Sequence, residues 1–298
     1  MILHNRRPVR AGFTLIEVMV VILIISILVS LTVSVITKVR DKARQATAIA
    51  DMAQIGSAIG AFKTKVNASY IPAFSPTQSS AGGFRLASTY VDTSGNPLAW
   101  PEVTYLKQLF PQMSLTDNGL RLNGQVVGNG IVQPSGAASL QTLDPNQTLV
   151  FFLTGSLFTN FTGFSTNRTT PFATPSGQSV GPFIDVSGGK VDTTTGHFLD
   201  PWGNPYAYMA FDPSLNTYPS TACSFTSNTS MGSVLPYTSG GKFVNLKGFQ
   251  IISAGRDGAF GPGGTNWTPG TGVYAPGYTP GGADDLANFN STPLSSQD

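Results

Sequence analysis

From Phe13 to Ile36, twenty-four consecutive residues contain no Lys, Arg, Asp or Pro, and Glu17 is their sole charge. As a helix rising 1.5 Å per residue, such a run spans ~36 Å, enough to cross a hydrocarbon core of ~30 Å. The run therefore reads as a membrane helix, and the rest of the chain must be counted apart from it. A carboxylate in that position is costly, roughly 2.5–3.5 kcal/mol at the centre of a membrane helix and less near the interface. Glu17 thus needs a reason to be there.

The flanks narrow the reading. A secretory signal places small residues after its apolar stretch, so that cleavage discards the stretch. Here the small pair Ala11-Gly12 comes before the run, behind Arg6, Arg7 and Arg10. A cut after Gly12 would discard the basic leader, keep the helix and leave a free amine on Phe13, mostly protonated at neutral pH with a reference pKa near ~8. Basic residues flank both ends, with Lys38, Arg40, Lys42 and Arg44 following the run, so they do not settle orientation. Loss of the first twelve residues would leave fourteen basic against fifteen acidic side chains, a nearly neutral body with no electrostatic footprint for nucleic acid.

Beyond Ile36 the chain continues without proline to Val66. Ile49, Met52, Ile55, Ile59, Phe62 and Val66 recur at steps of three and four, one apolar face of a helix. The pattern predicts one helix from Phe13 to about Val66, ~80 Å long, apolar all round at first (13–36) and amphipathic later (37–66). Gly56 and Gly60 weaken it locally and suggest close packing against a sheet. From 67 to 298 the composition shifts to Gly, Pro, Ser, Thr and Asn with short apolar runs, and a globular domain begins. "QTLVFFLTGSLF" and "FVNLKGFQIISAG" read as strands or short buried segments, and "FSTNRTTPFATPSGQSVGPF" as loop. In "DPWGNPYAYM", Gly203-Asn204-Pro205 reads as a tight turn, and Tyr206 and Tyr208 share one strand face.

Two motifs carry a resemblance. "RAGFTLIEVMVVILIISIL" resembles the N-terminal signal of type IV pilins and of the pseudopilins of type II secretion systems. "DPWGNPYAYM", followed by "IISAGRDGAFGPGG" and "GGADDLANFN", resembles the C-terminal half of the major pseudopilin. The resemblance implies an α+β fold: a long N-terminal helix, membrane-spanning in its first half, packed on a small antiparallel sheet. Residues 69–199 have no counterpart and are expected to be a loop-rich insertion. The resemblance also implies removal of leader 1–12 by a prepilin peptidase after Gly12, N-methylation of Phe13, and pairing of the Phe13 amine with Glu17 of a neighbouring subunit. It points to a homopolymer anchored in the inner membrane as a single-pass protein, its body periplasmic. Minor pseudopilins, an assembly ATPase, a membrane platform and membrane lipid are its partners. The function implied is a structural one in protein export; a surface type IV pilin for adhesion, motility or DNA uptake is the alternative.

The same resemblance implies calcium in the C-terminal loop region, 250–298, with Asp257, Asp284 and Asp285 matching acidic positions and Ser253 a further oxygen. Calcium takes six to eight oxygens, and a glycine-rich loop with little apolar area gains from such a tie. About two dozen residues separate Asp257 from Asp284, however, and the alternative is that Asp257 is a turn residue while the pair caps a short helix. No enzymatic constellation accompanies these motifs. Outside the leader the only histidine is His197, the only cysteine is Cys223, and H-E-x-x-H does not occur. A non-enzymatic, structural subunit is expected.

Overall fold

A computed structural model of the chain describes residues 13–75, 83–120, 140–156, 161–225, 229–261, 263–264, 267, 282 and 284–294, without the side chains at 31, 33–35 and 140–141. The leader, with Gly12, lies outside the described residues. Two compact units divide the chain, 1–44 and 45–298, and helix α1, Leu15–Val66, contributes to both. The architecture is mixed: this 52-residue helix, shorter helices and small antiparallel sheets.

In the first unit α1 presents apolar side chains all round, from Leu15 at 78% exposure to Ile27 at 52%. Its hydroxyls turn back on their own helix: Ser26 donates to the Ile22 carbonyl at 2.7 Å and Thr32 to that of Leu28 at 3.0 Å. Such back-bonding satisfies a hydroxyl without help from the surroundings.

In the second unit the expected amphipathic face is buried. Met52, Ile55, Ile59 and Phe62 are at most 2% exposed, while Ile49 and Val66 pack partly against the same core. α1 ends with Asn67 in the left-handed region (φ 54°) and the Ala68 N–H donating to the Lys63 carbonyl at 3.0 Å, a Schellman closure. At Gly56 an added Cβ would stand 3.4 Å from the Phe249 ring, the expected close approach; at Gly60 nothing lies within 4 Å.

The sheet behind α1 has three strands, β3 (Ala207–Ala210), β4 (Phe249–Ser253) and β5 (Leu286–Ala287), antiparallel in the order β5-β4-β3; β1 (Phe84–Ala87) and β2 (Leu140–Leu143) make a separate pair. Strand period two divides its side chains cleanly. Tyr206, Tyr208, Ile251 and Leu286 face the core shared with α1. Ala207, Met209, Ile252 and Ala287 face a second core with Cys223, Phe225, Met231 and Trp267. Both faces are covered, so β3 reads as an unbroken apolar run.

Region 69–199, expected as a loop-rich insertion, also carries short regular elements. It contains α2 (Pro101–Leu109) and α3 (Pro145–Thr154), and a cluster of aromatic rings in which Phe151 stacks edge-on with Phe152, Phe164 and Phe172. "QTLVFFLTGSLF", read as strand or buried segment, begins inside α3 instead. The reason lies just upstream. The Asp144 carboxylate accepts the Gln147 N–H at 2.9 Å, the Gln147 side chain accepts the Asp144 N–H at 3.1 Å, and Pro145 occupies the first helical position. This capping box starts a helix that the β-rich composition of the run conceals. Asn146, wholly buried, then ties α3 to the strand region: its amide donates to the Phe198 and Tyr206 carbonyls and accepts the Phe198 N–H.

Candidate functional site

Two places hold the residues singled out by sequence. At the start of α1, Phe13 is 89% exposed. Thr14 donates its N–H and its hydroxyl to Glu17 Oε2 at 2.8 and 2.9 Å, and the Glu17 N–H returns a bond to the Thr14 hydroxyl at 3.3 Å. Thr14 and Glu17 thus form a capping box for a helix whose first N–H groups have no partner of their own. The role was not legible as long as Glu17 was read only for its charge, although T-x-x-E just before an apolar run is its sequence sign. Glu17 Oε1 makes no hydrogen bond among the described residues.

The second place is the end of β4 and the turn after it. Asp284 Oδ2 accepts the Arg256 N–H at 2.5 Å and the Asp257 N–H at 3.1 Å; Asp257 Oδ1 accepts the Ala259 N–H at 2.8 Å. Gly255, at φ 63°, is pressed against Asp284: an added Cβ would lie 2.5 Å from its carbonyl oxygen. Asp285 is wholly buried, with Oδ2 accepting the Gly261 N–H at 2.9 Å and the Tyr237 hydroxyl beside its carboxyl. Burial pushes its carboxyl up to about 8, and the neighbouring Asp284 and Asp257 add to the shift. Burial also raises Asp257, with Asp284 contributing.

Ser253 belongs to another arrangement. Its hydroxyl donates to Asp200 Oδ2 at 2.6 Å and accepts the Gly255 N–H at 3.1 Å. Asp200 Oδ1 accepts the Trp202 and Asn204 N–H groups, and the Asn204 amide donates to the Gly255 carbonyl. Asp200 therefore organises the turn of "DPWGNP" and fastens it to the end of β4. The buried His197 pairs with Asp144, Nε2 to Oδ2 at 2.6 Å, and burial pushes the Cys223 thiol up, away from the reactive thiolate.

Comparison with known proteins returns one match: the family described as the prokaryotic N-terminal methylation motif, over residues 7–33. It marks a type IV pilin-like, prepilin-type protein. No curated protein and no solved structure matches the chain. For a prepilin-type chain the motif implies processing by a prepilin peptidase, anchoring in a membrane and assembly into a filament. Among the described residues no helix is long and apolar enough to cross a membrane.

Asp257, Asp284 and Asp285 offer all-oxygen donors, and Asp285 brings a buried carboxyl. That donor chemistry fits a hard cation. Among the described residues, however, no group of three or more acidic, histidine or cysteine side chains is placed to hold a metal ion. Any cation here must draw on backbone carbonyls beside the acids.

Proposed function

We propose that the chain is a pseudopilin: a structural subunit that polymerises through α1 into a periplasmic filament of a type II secretion system, with its first helical half stored in the inner membrane. The observation that carries the reading is a methylation motif opening an apolar, exposed helix that holds a single acid. In an apolar medium an amine and a carboxylate each need a partner. Within one subunit Glu17 Oε2 is already taken by the Thr14 N–H and hydroxyl, whereas pairing between subunits gives the Phe13 amine a carboxylate partner and fixes the stagger of packed helices. The capping box supports this division of labour, because it uses Oε2 and leaves Oε1 for a neighbour. Back-bonded Ser26 and Thr32 suit the same apolar surroundings.

The "DPWGNP" turn leading into an antiparallel sheet and an acidic loop supports the secretion branch over adhesive pilins. A surface pilin is the second reading, favoured by helices α2 and α3 within region 69–199. The partners of the first reading are minor pseudopilins, an assembly ATPase and a membrane platform. The mature N-terminus is the first test. Mass spectrometry of chain made beside a prepilin peptidase is expected to find N-methyl-Phe13; an intact leader overturns both readings. Deletion in the source cell then separates them, by loss of exported proteins or by loss of surface fibres.

We propose in addition that Asp257, Asp284 and Asp285 hold calcium, whose charge would let the three acids ionise side by side. Calorimetry on the full chain is expected to show calcium binding that Asp284→Asn weakens. No heat of binding, with a melting temperature indifferent to chelator, removes calcium from the reading.

A further inference from the structure

A cleft of about 640 Å³ opens between the N-terminal half of α2 and the segments after α1 and β3, bordered by Ser69, Tyr70, Trp100, Thr104, Tyr105 and Gln108. Most of its border lies in the region that the pilin resemblance does not cover, with Pro213 and Ser214 beyond it, and the cleft is independent of the filament reading. The volume is that of a small-molecule site.

The aromatic wall is held from behind. The Arg85 guanidinium sits 4.3 Å from the Trp100 ring centroid, and Tyr90 meets the indole edge-on at 6.1 Å. Arg85 is itself fixed by the wholly buried Glu102, Nε to Oε1 and Nη2 to Oε2, both at 2.9 Å. Tyr70 and Tyr105 meet edge-on at 5.5 Å, locked by the Tyr105 hydroxyl donating to the Tyr70 carbonyl at 2.6 Å. The half-buried Trp100 and Tyr70 rings thus line the cleft with their rotamer freedom already spent, backed by the buried Tyr105, which is what makes a surface a good receptor.

The exposed polar groups are uncharged, and the acid beside them, Asp212, is taken up by the Tyr70 and Ser214 hydroxyls. The Ser69 and Thr104 hydroxyls, the Gln108 amide and the Trp100 indole N–H form no hydrogen bond among the described residues, and no bordering side chain carries a charge. The nearest cation, Arg85, is committed to Glu102. An anionic ligand would find no counter-charge here. We propose that this cleft binds a neutral saccharide. A sugar ring offers a C–H face to the indole and phenol rings, and its hydroxyls both donate and accept, as do Ser69, Thr104 and Gln108. A proline-rich peptide also favours aromatic grooves, but its carbonyls only accept, which leaves the acceptor oxygens of the cleft without a match.

The test is isothermal titration calorimetry of the full chain in zwitterionic micelles with maltotriose, cellotriose and chitotriose. At least one is expected to give saturable binding that Trp100→Ala weakens about tenfold or more, worth 1.4 kcal/mol. Gln108→Ala, at an exposed position, is expected to weaken it several-fold with an unchanged melting curve, so the outcome does not hang on the folding of Trp100→Ala. No binding of any of the three up to about 10 mM, binding untouched by Gln108→Ala, or a proline-decamer peptide that binds tighter than every sugar overturns the proposal.

Discussion

One helix serves two opposite purposes along its length. Between Leu15 and Val29 the apolar residues of α1 stand about half exposed or more, whereas Met52 and Phe62 further along are at most 1% exposed. Helical period and residue type are shared; what differs is the width of the apolar surface. A one-sided stripe can be buried by the chain's own sheet and helices, and it is. Among the described residues a surface apolar all round has no such partner, and in the proposed filament lipid or other copies would bury it. The contrast separates what folding accomplishes from what is left to assembly.

The sharpest way to break that contrast is at Glu17. Glu17→Leu is expected to permit membrane insertion and abolish filaments, as seen by electron microscopy of overexpressing cells. Glu17→Gln refines the test, since glutamine can serve the same place in a capping box but carries no charge to pair with an amine. Filaments lost in both variants assign the acid to subunit pairing; normal filaments with Glu17→Gln assign it to the cap with Thr14.

Phe62→Ala tests the other half. Phe62 is wholly buried, packed against Phe152 at 5.6 Å and Phe183 at 5.4 Å between ring centroids. Its truncation is expected to cost about 3–5 kcal/mol and lower the thermal midpoint of the body by several degrees. Ile22→Ala, on the exposed half, is expected to leave that midpoint unchanged. Equal effects would erase the distinction between the two halves.

How far the sequence carried the reading follows the same line. The helix, its buried face and the N-terminal signal were legible because they are local: a period, a run, a glycine before it. The β4 and β3 strands were legible through apolar runs beside turn residues. Helix α3 was hidden because Phe151, Phe152 and Val150 favour strand by type, while its cause sits upstream in Asp144 and Gln147. Asp200 went unread as an organiser because its partner, Ser253, is fifty-three residues away. His197 and Asp144 are equally distant in sequence and meet only in the fold. The acids of the C-terminal loop were found by resemblance, yet the burial that separates Asp285 from Asp284 depends on the second core.

That burial makes stability depend on pH. With divalent cations chelated, the folded chain keeps a proton on Asp285 up to about pH 8, while the unfolded chain releases it near the ordinary carboxylate value. The folded state therefore binds more protons between these limits, and its stability is full at low pH and falls as pH rises toward 8. Burial shifts Asp200 and Asp257 the same way. Thermal melts in chelator are expected to show a lower midpoint at pH 8 than at pH 5, by on the order of a few kcal/mol, with the slope reduced in Asp285→Asn. A flat profile would remove the strained acid from the account.

The smallest effect expected is a gain. Gly60 lies in the interior of α1 with nothing within 4 Å of the position of a Cβ, so alanine there meets no neighbour and loses less backbone entropy on folding. Gly60→Ala is expected to stabilise the body by about 0.5–1 kcal/mol in a denaturant melt. At Gly56 the same helical gain is offset by contact with the Phe249 ring, and Gly56→Ala is expected to gain less. The order of the two variants is the informative quantity, because it measures how tightly the buried half of the helix is seated on its sheet. A larger gain at Gly56 would mean that the ring yields and that the helix rests on the sheet more loosely than its buried face suggests.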